Sequence, residues 1–333
     1  MLIVWHLRSE YSRSEAFRGY QHLVKRVLLG DIGATNARFA LASEDGLGQV
    51  RSFEVAKFPQ FIDALAVFLK EVGSPITHAI FAVAGPIVEG RAKLTNQSWI
   101  IDADELKSTL RLQAQIINDF QAVALSLAVL RSEDLLAIGG GKIEEGAPKA
   151  VLGPGTGLGV ACLANNSADP VIITSEGGHA TLAGTCDRED RIIQYLRSKF
   201  GHASAERAIS GNGLENLYQA IAAIDGLTVE TQNAADITNH ALTRDCEIAH
   251  EALHTFCAFL GSFAGNVALT FGAKGGVYIA GGISPRILNF LAGSKFRSRF
   301  ESKGRFRSYL ENIPSYVIVH PAAAFLGMQS LLD

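Results

Sequence analysis

Two glycine-rich turns constrain this chain more than any other feature. Gly30-Asp31-Ile32-Gly33-Ala34-Thr35-Asn36 lies near the start and Gly153-Pro154-Gly155-Thr156-Gly157-Leu158-Gly159 in the middle, each between apolar runs of strand length. Where a strand turns tightly and comes straight back, glycine lets main-chain N–H groups approach an anion closely, and a threonine hydroxyl adds a donor. Two such turns far apart in sequence can grip one polyphosphate from two sides. Either turn alone also reads as an empty hairpin.

The segment after each turn decides between nucleotide folds. A Rossmann fingerprint needs the glycines to open a helix, so that the pyrophosphate sits on the helix N-terminus. Here Ala37-Arg38-Phe39-Ala40-Leu41 and Val160-Ala161-Cys162-Leu163-Ala164 read as returning strands, and neither turn carries the Gly-Lys-Ser/Thr of a P-loop.

Size and composition fit a two-domain α/β protein. At 333 residues the chain exceeds one ordinary core, so two domains with a cleft for the ligand are the default. Hydrophobic residues at 48% and charged residues at 19% exclude a mainly disordered chain, and a formal net charge of −3 gives no footprint for nucleic acid. Cys162, Cys186, Cys246 and Cys257 form no C-x-x-C pair, which suggests neither zinc site nor disulfide framework and points to reduced thiols in the cytoplasm. Ala252 to Ala273 has no Asp, Glu, Lys or Arg, yet His254, Asn266 and several hydroxyls argue for a buried helix rather than a membrane span. Gly261, Ala264, Gly265 and Ala268 put small residues on one face of it, where another helix can approach closely.

Periodicity predicts strands at Val27–Ile32, Ala37–Ser43 and Val50–Ala56, a helix at Pro59–Glu71, a strand at His78–Ala84, a helix at Asp102–Leu110, a strand at Gln115–Ile117 and a helix at Asp119–Leu130. The second half opens with three strands again, at Ala150–Leu152, Val160–Ala164 and Val171–Thr174. Helices come next at Arg188–Phe200, Ala205–Ile209, Gly213–Ile224, Ala234–Thr243 and Glu247–Phe271; then a strand at Val277–Ala280, a helix at Pro285–Leu291, a strand at Tyr316–Val319 and a helix at Ala322–Leu331. With the helical insertion removed, the β-β-β-α-β-α-β-α plan recurs, an architectural duplication that explains two similar turns.

Five segments taken together resemble bacterial glucokinases: Gly30 to Arg38, Ile117-Asn118-Asp119-Phe120, Gly153 to Gly159, Glu176-Gly177-Gly178-His179 and Ile279-Ala280-Gly281-Gly282-Ile283. They occur in that family's order, and the resemblance runs from about residue 27 to the C-terminus. It implies a two-domain actin-like ATPase fold of the hexokinase/Hsp70, ribonuclease H-like kind, with a helical insertion in the larger domain. It also implies ATP and Mg²⁺ as cofactors, transfer to the 6-hydroxyl of glucose and a homodimer. Residues 1–26 then form an N-terminal extension, 27–130 with 321–333 a small domain, and 131–320 a large one. The segment after His179 lacks the cysteine-rich zinc motif of the related ROK sugar kinases and repressors. Ala34 stands where many relatives have glycine, which requires that its φ stay below zero.

The same resemblance assigns residues. Asp119, at a strand end where the chain enters a helix, is the catalytic base, although Asp there is also an ordinary helix cap. Orienting the hydroxyl is most of its task, since phosphoryl transfer passes through a loose transition state. Asn118, Asp119, Glu176, His179 and Glu206 bind the sugar; Asn118 reads equally as a cap, and Glu206 as a helix-start residue. A Glu-x-x-His pair also suits a metal, but no third ligand is near in sequence. On the nucleotide side stand Gly30, Asp31, Ile32, Gly33, Ala34 and Thr35 of the first turn and Gly155, Thr156 and Gly157 of the second. Gly281 and Gly282 lie against adenosine. Asp31 would repel ATP unless a cation intervened, so it is expected to hold Mg²⁺, through water. A sugar-sensing regulator of the same fold with little catalysis is the alternative, and an actin-like ATPase indifferent to sugar is a third reading.

Overall fold

The computed structural model describes residues 26–73, 75–94, 98–165 and 170–332. These fall into two compact units: residues up to Val129 with those from Ala324 on, and Leu130 to Asn165 with Val171 to Ala323. The extension expected at residues 1–26 lies outside the described residues except for Arg26, which opens the first strand.

The first unit begins with a hairpin of β1 (Arg26–Ile32) and β2 (Asn36–Ser43), followed by the short β3 (Gly46–Leu47) and by β4 (Arg51–Glu54). Helix α1 (Phe61–Val72) turns Phe61, Ala64, Leu65 and Phe68 inward at helical spacing, and Gly73 ends it with φ of 65°. Next come β5 (His78–Val83), a small antiparallel sheet of β6 (Ile87–Val88), β7 (Arg91–Lys93) and β8 (Ile100–Asp102), then α2 (Ala103–Leu110), β9 (Gln113–Asn118) and α3 (Asp119–Ser126). The main sheet runs β3-β2-β1-β5-β9, with β4 on β2; β1, β5 and β9 are parallel. Phe39, Phe61, Phe81 and Trp99 fill the core on one face, and the Trp99 indole N–H donates to the Phe58 carbonyl at 3.0 Å.

The second unit contains β10 (Leu135–Gly139), β11 (Lys149–Pro154), β12 (Leu158–Asn165) and β13 (Val171–Ser175). A helical block comes next: α4 (Asp187–Phe200), α5 (Gly211–Ile224), α6 (Ala234–Thr243) and α7 (Glu247–Phe271). The chain then returns through β14 (Val277–Ile279), the short helices α8 (Leu288–Gly293), α9 (Phe296–Glu301) and α10 (Arg307–Glu311), and β15 (Ser315–Ile318). Its sheet runs β10-β15-β14-β11-β12-β13. Stripped of β10, this order matches the first sheet strand for strand: an antiparallel hairpin, with two further strands parallel to its first member. Helix α11 (Ala323–Gln329) closes the described chain, mostly within the first unit.

The helix free of charge in its second half is a core helix. By length and composition α7 is apolar enough to cross a membrane, yet 78% of that stretch is buried inside the protein. Its small-residue face receives α9: a Cβ on Gly261 would collide with the Phe296 carbonyl, and one on Gly265 would stand 2.5 Å from the Phe300 carbonyl.

Several elements differ from the sequence expectation. The third strand stops at Glu54, because the Val55 amide turns to the Thr35 carbonyl at 2.9 Å and a 3₁₀ turn begins. The helix from Asp119 ends at Ser126 rather than Leu130, closing with i→i+3 bonds such as Leu127 N–H to the Ala124 carbonyl. Ala205–Ile209 contracts to a 3₁₀ turn over Ala205–Arg207, and Pro285–Leu291 divides into a 3₁₀ turn, Ser284–Ile287, and α8. β10, the sheet β6 to β8 and helices α9 and α10 carry no periodic signal, being short, edge-placed or rich in Arg, Lys and Ser.

Gly261→Val forces α7 and α9 apart. The expected loss is about 1–3 kcal/mol, the range for overpacking a filled contact, measured by urea denaturation followed by circular dichroism.

Candidate active site

In each unit the predicted residues gather at the carboxyl ends of the parallel strands, where open α/β sheets bind ligands. In the first, Ile32 of β1 lies opposite Val83 of β5, and Val83 opposite Asn118 of β9, so the first turn and the Asn118-Asp119 pair leave the same sheet edge. The turn is a short loop closed by the Gly33 N–H to the Asn36 carbonyl at 3.0 Å. Ala34 and Thr35 lie outside the left-handed region, so the condition set by the alanine is met.

Gly30 and Ile32 have packing roles. A Cβ on Gly30 would stand 2.5 Å from the Phe81 ring, and Ile32 is fully buried in the core. Gly30 is expected from the sequence on the nucleotide side, but it sits inside β1 between β2 and β5, and this packing accounts for it without a ligand. Asp31 is 15% exposed and forms an ion pair with Arg38, its directly opposite neighbour on β2. Arg38 also lies over the Phe325 ring, 5.7 Å from its centroid. Sequence reasoning does not rank Arg38 among the cations. The tight loop at Ala34-Thr35 fixes the register and places position 38 across from position 31, which is the signal that could have found it.

At the end of β9, Asn118 is the helix cap. Its Oδ1 accepts the Phe120 and Gln121 amides at 2.9 and 3.3 Å, while its Nδ2 donates to no partner among the described residues. The cap role is therefore filled by the neighbour of Asp119. The Asp119 Oδ1 takes the Phe120 amide at 2.9 Å from the first position of α3.

In the second unit three segments meet around Leu158. The second turn leaves β11 at Pro154 and enters β12 at Leu158, with Gly155 N–H donating to the Gly157 carbonyl at 2.8 Å. The amides of Thr156 and Gly157 donate to no acceptor among the described residues, and Thr156 is exposed. Gly155 would meet nothing within 4 Å if it carried a Cβ, and its φ lies outside the left-handed region. The fold does not require glycine there.

Glu176 and His179 bracket a 3₁₀ turn, Gly177–His179, after β13. A Cβ on Gly178 would collide with the Leu158 carbonyl, so this turn lies directly on the entry to β12. Glu176 is 80% and His179 60% exposed, with Nε2 and Oε2 3.8 Å apart. Among the described residues no group of three or more His, Cys, Asp or Glu is placed to hold a metal. Glu206 projects from its 3₁₀ turn to accept the Leu158 amide on Oε2 at 2.9 Å, a longer reach than a helix-start role needs. Its turn is joined to the Glu176 segment through Ala205 N–H to the Ala180 carbonyl and Leu182 N–H to the Ala203 carbonyl, both at 2.9 Å.

Gly281, just past β14, has φ of +83° and lies against the Pro154 carbonyl, where a side chain would collide. Gly282 faces open space. A cavity of about 640 Å³ lined by Lys142, Glu144, Lys274 and Tyr309 lies at the other end of this sheet and includes none of these residues. The four cysteines are free, and burial pushes the Cys162 and Cys257 thiols up to about 11 and about 12.

Comparison with known proteins settles the family. The family model described as Glucokinase matches residues 28–333. The chain belongs to the glucokinase family. It is 44% identical over 311 residues to the glucokinase of Paramagnetospirillum magneticum, covering 92% of this chain and 97% of that one. Among solved structures, the glucokinase of an Antarctic psychrotroph superposes with a TM-score of 0.81 at 37% identity, covering 92% of this chain and 98% of that one. A ROK family glucokinase from Streptomyces griseus, solved with glucose and AMPPNP, shares the fold with a TM-score of 0.64 at 17% identity, over 92% and 98% of the two chains.

The φ of Ala34 yields a stability test. Ala34→Gly frees the unfolded chain without relieving any strain, so unfolding free energy falls by about 0.4–1 kcal/mol in urea titration.

Proposed function

We infer that this protein is a glucokinase, transferring the γ-phosphoryl group of ATP to the 6-hydroxyl of D-glucose to give glucose 6-phosphate and ADP. The observation that carries the reading is 44% identity to a curated glucokinase across 92% of this chain and 97% of that one. Glucose and an ATP analogue are the ligands of the Streptomyces griseus enzyme of the same fold.

The residues at the two sheet edges take their roles from this reaction. Asp119 orients the 6-hydroxyl and takes its proton, a late transfer in a loose transition state, so an ordinary carboxylate suffices. Asn118, with its amide nitrogen uncommitted, and Glu176, His179 and Glu206 hydrogen-bond the other hydroxyls. A sugar lacking one of those hydroxyls leaves a polar partner unsatisfied, which makes rejection strong.

The amides of Thr156 and Gly157 serve the outer phosphates, with Gly155 bare so that the phosphates approach the backbone. Ala34 and Thr35 add donors from the first unit, the Gly33 amide being spent on closing that turn. Gly281 and Gly282 form the surface for adenosine, Gly282 being the open one. The two units correspond to the small and large domains of an actin-like ATPase, and the helical block α4 to α7 to the insertion. A cytoplasmic homodimer completes the proposal.

One carboxylate fits a Mg²⁺ that keeps several waters and takes its remaining ligands from phosphates. Asp31 is such a group and would hold the ion through water, where the ion would supply neutralisation of phosphate charge. Arg38 shares the same carboxylate, and so holds its orientation.

A coupled ADP-release assay across a hexose panel tests the reading; sugar-independent ATP hydrolysis, or none with any hexose, overturns it. Asp119→Asn is expected to lower turnover by about 10²–10⁴-fold with the circular dichroism spectrum unchanged. Gly155→Ala should not destabilise the protein and is expected to raise the unfolding free energy by up to about 1 kcal/mol, since the fold has room for the methyl, while raising the KM for ATP.

A further inference from the structure

Glu206 is held at more points than a ligand-binding side chain needs. Its Oε2 accepts the Leu158 amide at 2.9 Å, at the last bend of the second glycine turn. The same oxygen fills the space a side chain at position 157 would take: a Cβ there would stand 2.6 Å from it. The main chain of Glu206 is fixed as well. Ser210 Oγ donates to the Glu206 carbonyl at 2.8 Å and accepts the Gly213 amide at 2.9 Å as the cap of α5, whose first residue, Gly211, donates to the Gly155 carbonyl at 2.8 Å. The turn 155–157 is therefore gripped at its start by α5 and at its end by the Glu206 carboxylate. Oε1 of that carboxylate has no partner among the described residues.

We propose that Glu206 is a positioning residue for the phosphate turn: one carboxylate oxygen fixes the turn through Leu158, and the other faces the hexose, so that sugar and nucleotide share one side chain. This rests on the proposed assignment of turn 155–157 to the ATP phosphates. A carboxylate accepting a main-chain N–H makes a strong, directional bond, and small displacements of a binding turn are costly for phosphoryl transfer. A hexose hydroxyl on Oε1 restrains the same carboxylate that restrains the turn. Sugar binding then strengthens nucleotide binding, and nucleotide strengthens sugar by the same factor.

The experiment measures AMPPNP affinity by calorimetry with glucose absent, on wild type, Glu206→Ala, Glu206→Gln, Gly157→Ala and the Gly157→Ala/Glu206→Ala pair, with thermal unfolding recorded for each. A residue serving only the sugar has no effect in this measurement. The positioning role predicts about tenfold weaker AMPPNP binding for Glu206→Ala. Glu206→Gln, whose amide oxygen still accepts the Leu158 N–H, stays within about threefold for AMPPNP while its KM for glucose rises. Gly157→Ala weakens AMPPNP binding in the wild-type background and adds little in the Glu206→Ala background, because the carboxylate it collides with is gone. Unchanged AMPPNP affinity in Glu206→Ala, or an equal effect of Gly157→Ala in both backgrounds, overturns the positioning role while leaving the phosphate assignment intact. A wild type that binds no AMPPNP overturns that assignment and the proposal together. If Glu206→Ala does not fold, Glu206→Asp, whose carboxylate stops one methylene short of the Leu158 N–H, takes its place alone and in the pair with Gly157→Ala, with the same outcomes expected and the same outcomes overturning the role.

Discussion

The contact on which the second unit's site depends is at the main chain of Leu158. Its amide is held by the Glu206 carboxylate and its carbonyl lies under Gly178, so three loops remote in sequence share one residue. None of the three is a regular element long enough to hold itself. The turn 155–157 is three residues, and the segments at Gly177–His179 and Ala205–Arg207 are single 3₁₀ turns. Their rigidity comes from being tied to each other and to β12 and α5, which are long and buried. Polar groups that must be oriented to a fraction of an ångström are thus borne by loops whose freedom the scaffold has removed.

Glycine serves opposite purposes at these positions, and the difference separates scaffold from site. At Gly30, Gly178 and Gly281 a neighbouring ring or carbonyl occupies the place of the side chain, so the fold itself demands the residue. At Gly155 and Gly282 nothing among the described residues does. A glycine that packing does not require, followed as Gly155 is by two uncommitted amides, is the stronger mark of a ligand that approaches the backbone. Gly157 belongs to neither class, since the atom that excludes its side chain is a carboxylate with a proposed task of its own.

Much of this is legible in the sequence because it depends on local pattern. Both hairpins, the core helix with its charge-free stretch from Ala252 on and the cap-or-base ambiguity at Asn118-Asp119 come from periodicity, turn chemistry and capping preference. The ion pair of Asp31 with Arg38 is also within reach, since hairpin register alone sets it. The link from Glu206 to Leu158 is not, because 48 residues separate the two and no periodicity connects a 3₁₀ turn to a strand entry. Helices α9 and α10 escape sequence reasoning for a related reason. Each is one or two turns long, and α9 is positioned by the small-residue face of α7 rather than by any amphipathic pattern of its own.

The repeated sheet order gives the two turns a common origin in architecture without making them equivalent. Each comes after the first strand of a hairpin whose parallel neighbours end at the same edge, so each presents amides where such sheets bind ligands. In the first unit the turn is backed by an ion pair across the hairpin, and its carboxylate is itself part of the turn sequence. In the second it is backed by a carboxylate from a separate loop and by a helix start. On the proposed phosphate assignment, the first turn has the Asp31–Arg38 ion pair beside it, and the second presents the main-chain amides of Thr156 and Gly157, free among the described residues. The same scaffold, used twice, has been given different electrostatics by the side chains and loops that back each turn.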